Sequence, residues 1–102
     1  MNDVCRMIKK QTITNFSNME TAIKTYDRNA SVCGTPAWRY VYHAIHSADK
    51  WFFNPSKFTE PDFHENGMDN PDNPCNVVLS DTELLDYLHK VRLKTEKYLD
   101  EL

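Results

Sequence analysis

The chain has 102 residues, a formal net charge of −3, and 26% charged residues against 2 glycines. That size suits one domain, able to bury roughly two-thirds of its unfolded surface in a single core. The slight acidity excludes a general pull toward nucleic acid or anionic lipid, no apolar run approaches the roughly 20 residues of a membrane span, and scarce glycine favours helices over a turn-rich sheet.

A first helix is expected from about Asp3 to Asn29. Phe16, Met19, Ile23 and Tyr26 recur at three- and four-residue spacing, and Val4 and Ile8 extend that stripe toward the N-terminus. Its middle is weaker, because Thr12, Ile13 and Thr14 are β-branched and lose rotamer freedom in a helix. Asn29 to Gly34 reads as a turn. The second helix, over about 36–53, opens with Thr35 as N-cap and Pro36 at the first helical position. It closes before Pro55, which disfavours helical geometry at Asn54. Trp38, Val41, Ile45, Ala48 and Phe52 form its apolar stripe. The helix is apolar over so much of its circumference that it is expected at the centre of a bundle.

Residues 54–79 form the long loop; from Asn54 to Val78 they hold 5 asparagines, 4 prolines and 1 glycine, a composition that sustains no helix and shows no strand alternation. Loops this long are uncommon in compact domains. Phe58 and Phe63 predict that this one is draped over the helices, each ring pinning it by burial, with Met68 as a further anchor. Ser80 and Glu83 then read as a capping box, with Leu79 stapled onto Leu84. The third helix, about 81–102, presents Leu84, Leu88, Val91, Thr95, Tyr98 and Leu102 as a heptad-like stripe. The fold class is therefore all-α, three long helices of a bundle with a long loop between the second and third.

Chemistry-bearing residues concentrate on the second helix. His46 and Asp49 lie three apart on the flank of its stripe, so their side chains can meet. His46 is the first candidate ligand for a divalent metal, with Asp49 orienting it or a bound water. His43 completes a His-x-x-His pair and is the second candidate ligand, although its place on the wheel is well away from the core stripe. His64, Glu65 and His89 join such a site only if the fold recruits them in space. Cys5, Cys33 and Cys75 are odd in number and form no Cys-x-x-Cys pair, and Met1-Asn2-Asp3 opens no signal peptide, so reduced thiols in a cytoplasmic protein are expected.

Trp38, then His46 eight residues on, then Asp49, followed by Trp51-Phe52, resembles the second helix of the DinB/YfiT-like proteins. The resemblance implies an up-down helical bundle, a divalent metal (zinc, nickel or iron) with His46 among its ligands, and metal-dependent thiol transfer using a small thiol. The family's other two ligands normally form a His-x-x-x-His pair on a fourth helix, and this chain ends at Leu102 before any such helix. On that reading the metal site is incomplete, and binding is expected to be weak and pH-dependent. Apolar stripes left uncovered by a missing fourth helix, among them Ile23, Tyr26, Leu88, Val91 and Tyr98, are expected to drive a homodimer. The alternative is a non-enzymatic helical interaction module. Neither reading involves nucleic acid or a membrane.

Overall fold

The computed structural model describes residues 3–51 and 58–100, which fold as an all-α domain with one small hairpin. Helix α1 runs Asp3–Thr25, strands β1 (Ser31–Val32) and β2 (Thr35–Pro36) pair antiparallel, and helices α2 (Ala37–Trp51) and α3 (Asp81–Asp100) follow. Expected features at Phe52, Asn54, Pro55 and Leu102 lie outside the described residues. None of the helices described is long and apolar enough to cross a membrane.

The β-branched middle of α1 is helical, with the Thr12 and Thr14 hydroxyls donating back to the carbonyls of Ile8 and Lys10. Only the second half of the expected stripe is covered. Phe16 and Ile23 are buried, with Met19 and Tyr26 packed on them, whereas Val4 and Ile8 are exposed. The helix stops at Thr25 rather than Asn29 because the Asp27 carboxylate accepts from the Asn29 amide at 3.2 Å, building a turn in place of another helical step.

Strands β1 and β2 pair Ser31 with Pro36 and Val32 with Thr35, around Cys33 and Gly34 at φ of 52° and 83°. Positive φ at both central residues is the type I′ arrangement whose twist suits a two-residue hairpin, and glycine supplies it without strain at the second position. The hairpin displaces the expected cap of α2. Carbonyls of Ala30 and Arg28 take the amides of Ala37 and Trp38, while the Thr35 hydroxyl donates to the carbonyl of Pro71 in the loop. Thr35 thus ties helix entry to loop.

At the start of α3 the capping box forms as expected, Ser80 and Glu83 each accepting the other's backbone amide at 3.0 and 3.1 Å. Leu79 and Leu84 are both buried in the core. Further along, Leu88, Val91, Thr95 and Leu99 are buried and Tyr98 is exposed. A straight helix drifts away from a strict heptad, which moves the last buried position from Tyr98 to Leu99. The central helix is α3, not α2, because α3 packs on both α1 and α2. Much of the remaining apolar circumference of α2 is covered by the loop.

That loop is a succession of turns, closed by backbone bonds from His64 to Pro61, Met68 to Glu65, Asn70 to Gly67 and Asn73 to Asn70. As expected, it is draped. Phe63 meets the Tyr42 and Tyr87 rings edge-on, Phe58 meets His46, and Met68 is fully buried. The strongest tie is Arg39, buried on α2, whose Nη2 donates to the carbonyls of Met68, Asn70 and Asn73 at 3.0, 3.1 and 2.9 Å. The Arg39 and Arg28 guanidinium groups each lie 5.8 Å from the Trp38 ring centroid. Arg28 also bonds Asp81 at 2.7 Å, which joins the turn after α1 to the start of α3.

Replacing Arg39 by methionine is expected to lower unfolding stability by roughly 1.5–3 kcal/mol, the value of hydrogen bonds to a charged donor. Arg39→Lys should recover only part, since an ammonium lacks the planar fork. Urea midpoints at unchanged slope check this, and a change below about 0.5 kcal/mol would contradict the clasp.

Candidate metal centre

His46 is carried by α2 and is almost wholly buried, at 2% exposure. Its Nε2 lies 2.7 Å from a Glu60 carboxylate oxygen in the loop. Four residues on, His64 brings its own Nε2 to 3.4 Å from the same oxygen. The two imidazoles stack at 4.7 Å between centroids and 16° between planes. His46, Glu60 and His64 each offer one ligand atom, all within 4.8 Å of one another.

His64 is held from behind. Tyr42, one turn before His46, places its hydroxyl 2.5 Å from Nδ1 of His64 and stacks on that ring at 5.9 Å. The turn at Pro61–His64 sets Glu60 and His64 on the same side of the loop. Burial, reinforced by the neighbouring His46, pushes the His64 pKa down against the opposing pull of Glu60 and Asp69. The ring is therefore neutral at neutral pH, the form that ligates metal. Glu60 is half-exposed and forms the open side of the group. It also lines a cleft of about 400 Å³ with Asp49, Phe63, Tyr87, Lys90 and Lys94.

Two imidazoles and one carboxylate are a donor set suited to zinc, iron or nickel, leaving coordination positions for water or another ligand. Bonds of about 2.0–2.1 Å at tetrahedral angles put ligand atoms roughly 3.3 Å apart. The His64–Glu60 separation of 3.4 Å already meets that, and the 2.7 Å His46–Glu60 hydrogen bond would open by about 0.6 Å as an ion replaced the shared proton.

The other residues expected at the site lie elsewhere. Asp49 does not orient His46; its carboxylate accepts from the Tyr87 hydroxyl at 2.8 Å and from Lys94. Three positions along a helix is a rotation of about 60° backward, enough to turn Asp49 toward α3 while His46 faces the loop. His43 is exposed, with Nδ1 2.6 Å from the Asp69 carbonyl, and joins no ligand group among the described residues. Glu65 accepts from the Asn76 amide, and His89 lies 3.3 Å from Glu20 on α1. Glu60 and His64 are candidate ligands that spacing on α2 could not reveal. The available signal was their position between Phe58 and Phe63 or beside it, the two rings expected to anchor the loop.

Burial first, then the bond to Asp49, raises the Tyr87 phenol well above its ordinary value. The native state therefore holds this proton more tightly than the unfolded chain does. Its contribution to stability is complete below about pH 10 and is lost as pH rises beyond that value. Tyr87→Phe should flatten the fall of the urea midpoint above pH 10, and a fall as steep as in the unmodified chain would contradict the assignment.

No family model, curated protein or solved structure matches the chain.

Proposed function

We propose that the chain is a divalent-metal-binding helical protein whose ion is held by His46, Glu60 and His64. The observation that carries this reading is the convergence of a buried imidazole, a half-buried one and an exposed carboxylate within 4.8 Å. The resemblance of α2 to DinB/YfiT-like proteins supports His46 as the helix ligand. The further ligands would come from the draped loop, which makes the centre more complete than the helix alone implied. With three protein ligands, an ion would keep positions open toward the cleft beside Glu60, where it would supply Lewis acidity to a small bound molecule. Thiol transfer is the reaction that the family resemblance favours at such a position.

A second reading has its own support. The 2.7 Å bond between His46 and Glu60 satisfies both groups without an ion, so the cluster can serve as a staple for the loop in a non-enzymatic module.

Zinc titration against a chromophoric competitor separates the two. The metal reading expects one-to-one binding, weakened about 100-fold by His46→Ala or His64→Ala, since four-ligand zinc sites gain roughly 10–16 kcal/mol in all. Glu60→Gln should weaken it less, keeping an oxygen but losing charge, and His43→Ala and Asp49→Asn should leave it near the unmodified value. No specific zinc binding, or loss with His43→Ala instead of His46→Ala, would favour the staple.

A further inference from the structure

The Tyr42 ring is fully buried, held against Phe63 and Tyr87, and its hydroxyl is aimed at Nδ1 of His64 from 2.5 Å. A neutral imidazole carries one ring proton, and a nitrogen that ligates an ion must be bare. Among the described residues, Nε2 of His64 has two acceptors beside it, the carboxylates of Glu60 at 3.4 Å and Asp69 at 3.6 Å. Without an ion, the ring proton belongs on Nε2, and Tyr42 donates its O–H to the bare Nδ1. With an ion at Nε2, the ring proton must sit on Nδ1, and the partner 2.5 Å away has to accept it. A hydroxyl does either; an amide or ammonium donor in its place would hold the ring in the first state.

Building on the metal reading above, we propose that Tyr42 is the positioning residue of the metal centre, its hydroxyl reversing from donor to acceptor as His64 changes tautomer. The proton balance is simple. One proton leaves Nε2 for solvent, another is taken up at Nδ1, and the ring stays neutral throughout. The Tyr42 oxygen keeps Nδ1 paired in both states, so neither leaves a buried nitrogen unsatisfied. The fixed rings of Phe63 and Tyr87 hold the phenol in place, which confines the change to rotation of one O–H bond.

Nitrogen NMR of the His64 ring in the unmodified protein, with and without zinc, tests the reversal directly. The expected result is the Nε2–H tautomer in the free protein and the Nδ1–H tautomer in the loaded one. Tyr42→Phe, with its helical content checked by circular dichroism, should bind zinc roughly 10–100-fold more weakly, the usual cost of removing a partner behind a ligating histidine. The same tautomer in both states, or zinc affinity in Tyr42→Phe within about threefold of the unmodified chain, overturns the role of Tyr42 alone. Should the variant fail to fold, the tautomer measurement still decides. An unmodified protein with no zinc affinity sensitive to His46→Ala overturns the metal reading and this inference together.

Discussion

A buried guanidinium on α2 holds much of this molecule in place. Arg39 takes three carbonyls from successive turns of the loop, that of Asn70 being shared with the Asn73 amide. Burying an arginine is costly unless its donors find partners; here the backbone supplies them to Nη2 in place of a carboxylate, while the buried Nε has none among the described residues. The consequence is a long segment without helix or strand that follows a defined path. Further ties, among them Phe63 against Tyr42 and Tyr87 and the Thr35 hydroxyl on Pro71, hold the same path.

That path decides the chemistry. A helix presents neighbouring side chains three and four residues apart, so α2 alone offers His43, His46 and Asp49 at a shared flank. Packing separates them: His43 to the surface, Asp49 to Tyr87 and Lys94, and His46 inward. The loop then brings Glu60 and His64 across, and a lone histidine becomes one of a group. Burial and the stacked His46 ring disfavour a positive charge on His64, which leaves that ring in the form that can ligate an external cation.

What the sequence made legible was local. The Ser80–Glu83 capping box, the alternation of apolar residues on α3 and the anchoring aromatics of the loop each depend on a few neighbouring residues, and each is found. His46 was legible because it sits next to the apolar stripe of α2. Three features depended instead on tertiary packing. The centre of the bundle passed from α2 to α3 because the loop, not further helices, covers α2. The cap of α2 passed from Thr35 to carbonyls of the preceding turn because a hairpin formed there. Asp49 found partners on another helix that no spacing along its own helix could indicate. Glu60 and His64 were hidden for the same reason, since their meeting with His46 requires the whole course of the loop.

The central claim is that one helix histidine and a loop Glu–His pair form a single metal centre. X-ray absorption at the zinc edge of the loaded protein measures this most directly, because imidazole, carboxylate and thiolate ligands scatter differently. The account predicts a shell of nitrogen and oxygen only, at roughly 2.0–2.1 Å, with multiple scattering from a pair of imidazoles. Sulfur at about 2.3 Å, or the signature of a single imidazole, would contradict it.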